Sequence, residues 1–257
     1  MFLEFGDKRV IDVVDTLWAL DGTSLHYVFE KTDSSNVTEL RLTVEVDGMT
    51  VSGKIDVYEV LPQRLLDYKK TSVWTHMYNP EGKEDYIAQV NVNAFLLRAN
   101  GFNVVEVANV YIFRDWKKTD YLRMQNRGYP LYPIMYLKLP LWTDEQTLAY
   151  IKNRINLHKK AYMDWQLGVL NGCAPKGRWR EDDVYAVLNQ KRTRAVNGGA
   201  NFETEAEAKL FAAKTANGGI ELREGVDKRC DSYCDYTEFC TYYKKNKKAL
   251  FPGLKGK

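Results

Sequence analysis

SGKIDVYEVLPQRLLDYKK, residues 52–70, holds two runs rich in β-branched and aliphatic side chains, parted by Leu61-Pro62-Gln63. Such a pattern reads as a strand over 49–60, a turn at 61–63 and a strand over 64–70. Side chains two apart on a strand share a face, so Asp67 and Lys69 point together and Tyr68 points away. With the turn centred between Leu61 and Pro62, Asp56 falls opposite Asp67. Like charges facing each other across a hairpin are destabilising unless a cation lies between them. A divalent metal and Lys69 would supply that cation. The metal would take hard oxygens: Asp56, Asp67 and the backbone carbonyl of Tyr68. Mg²⁺ suits so small a protein ligand set because it keeps several waters and draws the rest from phosphate. Asp-x-Lys on its own is common on exposed strands, where both charges are simply solvated.

Working outward, ELRLTVEV (39–46) alternates with period two, and Asp47-Gly48 supplies a tight turn into the 49–60 strand. On the other side, 84–101 reads as a helix stopped by Gly101. Residues 103–116 and 133–141 read as strands and 144–168 as a long amphipathic helix; 22–31 reads as a helix entered at Gly22-Thr23. Helix, three-strand meander, helix, strand is the order of an α/β core with a mixed sheet flanked by helices. After residue 172 the texture changes to a short strand (DVYAVLN), a small helix (204–214) and a cysteine-rich end. The expected division is therefore a core over 1–171 and a small C-terminal lobe over 172–257.

The bulk composition fits this. The 257 residues are 45% apolar and 28% charged, an ordinary balance for a folded domain. No run of about 18 apolar residues is present, so no membrane partner is expected. The start, MFLEFGDKRVIDVVD, has early charges and no apolar signal core, so a cytoplasmic protein is the default expectation. The net charge of +3 does not announce a nucleic-acid binder. Basic character gathers in KKNKKALFPGLKGK at the end and in GRWREDDVYAVLNQKRTR. Both could follow a phosphate backbone or be solvated faces. RDWKKTDYLRMQNRGYPLYP (114–133) interleaves Arg, Lys and Tyr and could stack on unpaired bases.

Two helix pairs add to the strand acids. His26 and Glu30 share a helix face, as do Gln89 and Asn93. His26 could ligate metal; two amides on one face could hold a phosphate or a lysine. The ordered set Gly-Thr-x-x-His (22–26), Gly-x-x-Asp (53–56), Asp-Tyr-Lys (67–69) and Gln-Val-Asn (89–91) resembles the RecB-type branch of the PD-(D/E)xK nuclease superfamily. The likeness spans about residues 20–116. It implies the restriction-endonuclease-like core and a divalent-metal-dependent DNA nuclease, an exonuclease acting on single strands or duplex ends. In that reading His26, Asp56 and Asp67 are metal ligands for Mg²⁺ or Mn²⁺, Lys69 supports the attacking water, and Gln89 positions substrate or Lys69. A helicase or recombinase is a candidate partner, and a phage origin is compatible. A tyrosine usually stands four residues after the glutamine, and this chain has Asn93. The competing class is a non-catalytic DNA-binding or assembly protein that keeps the fold.

Four cysteines remain, with Cys230, Cys234 and Cys240 in a C-x3-C-x5-C run and Cys173 upstream. Clustered cysteines without a secretory signal read as a metal site before disulfides. Zinc sites favour two tight pairs, whereas one singleton plus a triplet suits a [4Fe–4S] cluster, with Zn²⁺ as the alternative and a zinc-binding regulatory module as a third class of function. The layout resembles iron–sulfur nucleases of the same superfamily, including CRISPR-associated adaptation nucleases, in which the distant cysteine usually precedes the nuclease motifs. Phage-encoded members resemble this chain more closely, with Cys173 followed by Trp179.

Overall fold

The structure, a computed structural model, describes residues 20, 22–24, 36–168, 172–189, 195–196 and 201–250. These fall into two compact units that divide between Lys159 and Lys160.

The first unit is built on a five-stranded sheet in the order β1-β2-β3-β4-β5, formed by β1 (Val37–Val46), β2 (Met49–Glu59), β3 (Arg64–Thr71), β4 (Glu106–Phe113) and β5 (Ile134–Leu139). Asp47 and Gly48 both take positive φ, as a two-residue turn between twisted antiparallel strands requires. β3 and β4 are parallel and all other neighbours antiparallel, so the sheet is mixed. The parallel pair is joined by a crossover through α1 (Val73–Tyr78) and α2 (Glu84–Ala99). α3 (Lys118–Met124) links β4 to β5, and α4 (Asp144–Gln166) follows. The expected helix over 84–101, the five strands and the long helix all lie where the pattern put them, with ends shifted by a few residues. α1 and α3 were not anticipated. They are six and seven residues long, too short to show a helical apolar period.

α2 covers one face of the sheet. Val90, Ala94, Leu96 and Leu97 pack against Leu42, Ile55, Leu65 and Val107, all buried. Helix and strand approach closely at Gly53, where an added Cβ would sit 2.3 Å from Asn93 Oδ1 and 2.7 Å from Leu96 Cδ1. Buried Asn91 secures the far end of the sheet. Its amide donates to the Pro140 carbonyl and its oxygen accepts the Trp142 N–H. The first turns of α4 add Ile151 and Ile155, which pack with Val46.

The second unit, described by itself, contains a three-stranded antiparallel sheet in the order β7-β6-β8, from β6 (Val184–Asn189), β7 (Asn201–Phe202) and β8 (Gly218–Arg223). α6 (Glu205–Ala212) lies on this sheet and starts with a capping box between Thr204 and Glu207. Three short helices carry the cysteine region: α5 (Pro175–Arg178), α7 (Lys228–Ser232) and α8 (Thr241–Leu250). The division between units falls inside the amphipathic α4, ahead of the change in texture near residue 172. No helix among the described residues is long and apolar enough to cross a membrane.

Candidate active site and cysteine cluster

β2 and β3 pair over only three positions, Val57 with Leu66, Tyr58 with Leu65 and Glu59 with Arg64. Extending that register would set Asp56 opposite Asp67, as the turn geometry anticipates. Instead the ladder stops there. Asp56 Oδ2 accepts the Tyr68 backbone N–H at 2.9 Å, so a carboxylate replaces the carbonyl a ladder would have offered. On its other edge β3 pairs with β4 along its whole length, from Arg64 to Thr71. Two carboxylates therefore stand at the mouth of a fork between two strands that stop pairing.

Asp67 is 1% exposed. Its Oδ2 lies 2.7 Å from Lys69 Nζ and accepts from Asn109 Nδ2 at 2.9 Å. Lys69 Nζ also donates to Gln89 Oε1 at 2.8 Å, and it sits 5.1 Å from the centroid of the Tyr86 ring. The helix residue thus reaches the lysine across the sheet face that α2 covers. Gln89, Asp56, Lys54 and Glu39 line one cavity of about 570 Å³, with Asn93 and Tyr150 on its wall. Glu39 has φ +52, unusual within a strand, and its carboxylate pairs with Lys54. Burial first, then the nearby Tyr86 and the charge of Asp67, push the Tyr111 phenol up to about 12. Burial first, then the charges of Glu59 and Asp56, also raise Tyr68.

The structure thus brings together Asp56, Asp67, Tyr68, Lys69 and Gln89. His26 and Glu30 lie outside the described residues. Asn93 does not share the role of its helix neighbour. It is buried, fits into the space left by Gly53, and its Nδ2 donates to the Lys54 carbonyl at 3.4 Å.

Asn109 is the residue that sequence reasoning missed. It is fully buried on β4, between Val107 and Tyr111 on the same face, and directly beside Asp67 in the parallel register. A lone amide in an otherwise apolar stripe was the available signal.

The donor chemistry fits a hard divalent cation: two carboxylates at the fork, a backbone oxygen on the same strand and a cation beside them. Among the described residues no three of His, Cys, Asp and Glu are gathered into a metal cage. In the C-terminal unit, all four cysteines are free thiols. Cys173 precedes α5, Cys230 lies on α7, Cys234 follows α7, and Cys240 precedes α8. Burial raises the Cys230 thiol to about 11, and the charges of Asp227, Cys234, Cys240 and Cys173 add to it, so all three other thiols lie within electrostatic reach. Tyr243 N–H donates to Cys240 Sγ at 3.4 Å. Sulfur donors are the chemistry that zinc or an iron–sulfur cluster takes, but among the described residues these four are not drawn together into a metal-holding group.

No family model matches the chain, and no curated protein matches it. A solved structure entitled "Crystal structure of SSO0001" is similar with a TM-score of 0.38 and 16% identity, over 55% of this chain and 61% of that one. The chain thus spans less than two thirds of that structure's length.

Proposed function

We propose that the chain is a metal-dependent deoxyribonuclease with the PD-(D/E)xK core, its site formed by Asp56, Asp67, Tyr68, Lys69 and Gln89. One observation carries the reading. The β2–β3 ladder ends where two acids meet, and Lys69 is held between one of them and the helix glutamine. Mg²⁺ or Mn²⁺ held by Asp56, Asp67 and the Tyr68 carbonyl, with His26, would supply an activated water and neutralise charge on the phosphoryl oxygens. The protein groups do the rest. Asp67 and Gln89 fix the Lys69 ammonium at one end of the fork, where it offsets negative charge at a scissile phosphate and orients the attacking water. Asn109 holds Asp67 in place from the adjacent strand, and Tyr86 shields Lys69 from bulk solvent. Lys54, on the cavity wall, adds a second cation for the phosphate backbone. DNA as single strands or duplex ends is the substrate class, with exonuclease action. Cys173, Cys230, Cys234 and Cys240 hold a [4Fe–4S] cluster that clamps the C-terminal unit; zinc is the alternative. A helicase or recombinase is the partner class such a nuclease serves.

A second reading has one observation in its favour. Lys69 already neutralises Asp67 directly, so this ion pair is complete without a metal. A DNA-binding protein that keeps the core without turnover would look the same. Purified wild type and Lys69→Ala, assayed on single- and double-stranded DNA with Mn²⁺, separate the two. The nuclease reading expects metal-dependent cleavage by the wild type and a loss of at least about a hundredfold in the variant. No metal-dependent cleavage by the wild type rejects it.

A further inference from the structure

α1 begins two residues after β3 ends, and one face of it is buried. Val73 and Met77 pack in a cluster with Tyr111, Phe113 and Tyr86, the ring on which Lys69 rests. On the adjacent face Trp74 and Tyr78, four apart, are stacked on each other with centroids 5.8 Å apart and planes 28° apart. They are 45% and 78% exposed. Exposed large aromatic rings cost solvation free energy, and an i, i+4 stack displayed in water suits a ligand with flat apolar faces.

The surroundings carry positive charge. Lys70 is exposed at the end of β3, and Arg114, Lys117 and Lys118 are exposed on the segment that meets the start of α1. That meeting is specific. Asp115 accepts the Val73 N–H at 2.8 Å and the Ser72 hydroxyl, which fixes the basic segment against the first turn. Burial works against the ionised form of Asp115, yet these hydrogen bonds hold its carboxyl below the ordinary range. Asp115 stays ionised there, and against its single charge the same segment sets the exposed Arg114, Lys117 and Lys118.

We propose that Trp74 and Tyr78 form a stacking platform for unpaired bases, so that the strand entering the site is single-stranded. The inference deepens the nuclease reading by naming the strand form. Bases in a duplex are already stacked on one another and offer no free faces, whereas every unpaired base does. The cations beside the platform follow the phosphates.

The test measures binding without cleavage. An oligothymidylate of about twenty nucleotides and a hairpin duplex of the same length are titrated in EDTA by fluorescence anisotropy. Wild type, Trp74→Ala, Tyr78→Ala and Trp74→Phe are compared, with thermal melts confirming that these surface variants fold. Each alanine should weaken oligothymidylate binding about tenfold and duplex binding less than about twofold, and Trp74→Phe should recover most of the loss. Equal losses on both DNAs, or unchanged oligothymidylate binding, overturn the platform. Because binding is read apart from turnover, an inactive wild type that still needs Trp74 for oligothymidylate keeps the platform and rejects the nuclease. Cleavage of single strands with an unchanged KM in Trp74→Ala does the reverse.

Discussion

A buried carboxylate needs charge or donors beside it, and one oxygen of Asp67, Oδ2, is met from two directions. Lys69 supplies charge and Asn109 supplies a neutral donor at 2.9 Å. Asn109 carries no side-chain route to solvent, so Asn109→Ala would leave a buried oxygen short of a donor. The expected loss is about 1–3 kcal/mol by urea unfolding. Asn109→Asp would set a second carboxylate against the first and should cost more than the alanine. A neutral result for both substitutions would mean that Asp67 does not depend on β4. Strand parity was enough to pair Asp67 with Lys69, and the turn centre was enough to place Asp56. Helix spacing put Gln89 and Asn93 on one face. Asn109 was not legible in the same way, because a parallel register is set by a crossover of two helices rather than by any local pattern. Asn93 misled for a related reason. Its partner is Gly53, forty positions away, and nothing in the helix itself reports that the sheet comes so near.

At the scale of elements, the sheet is held at the turn end by charges that run across four strands. Arg64 on β3 pairs with Glu59 on β2 at 2.5 Å and with Glu106 on β4 at 3.6 Å, and Lys138 on β5 pairs with Glu106 at 2.7 Å. Tyr136 donates to Glu106 as well. Hydrogen bonds from Lys138 and Tyr136, helped by the charges of Lys138 and Arg64 and opposed only by burial, hold Glu106 down to about 2 from its usual 4.5. A folded-state value below the unfolded one means that the ionised form stabilises the fold. That contribution is present in full above pH 4.5 and is lost as pH falls toward 2. Glu106→Gln should therefore flatten the stability–pH curve between those limits and leave its shape near neutrality unchanged. Urea midpoints collected across that range check it. An unaltered acid limb in the variant would show that other carboxylates govern it. The strands of this network were readable from their alternation. The short helices were not. α1 is capped by Ser72, whose hydroxyl oxygen accepts the Trp74 N–H at 3.2 Å, while the Val73 N–H goes to Asp115, more than forty positions downstream; six residues then leave no apolar period to read. β8, with the sequence GGIELR and no buried residue, lacks the apolar run that marks a strand.

The whole chain has two compact units, and what stabilises the second differs from what stabilises the first. The first buries a sheet face under α2. The second has few buried apolar side chains, Ala186, Val187, Ala208 and Cys230 among them, and so leans on polar contacts. A change of texture near residue 172 was visible in the sequence. The division inside α4 was not, because an amphipathic helix carries no break in its pattern where one unit gives way to the next. The polar clamp is built around Asp227, whose side chain is fully buried. Its Oδ2 lies 3.1 Å from Arg178 Nε and accepts the Tyr242 hydroxyl at 2.9 Å, while the Arg178 guanidinium lies 4.2 Å from the centroid of the Tyr242 ring. Arg178 also donates to the Cys173 carbonyl, and Arg229 to the Gly177 carbonyl at 3.2 Å. Three short helices that carry the cysteines are thus joined before any metal is considered. Removing one partner of a buried pair strands the other charge, at a cost of about 3–5 kcal/mol. Asp227→Asn should therefore lower amide-exchange protection in β6 of the C-terminal unit, with or without a group bound to the thiols, while β3 and β4 keep theirs. In the cluster reading proposed above, chelation should lower β6 protection again, from the already reduced level. Equal protection of β6 in the variant and the wild type would show that the thiols alone close the unit. A parallel loss in β3 would show that the two units unfold as one.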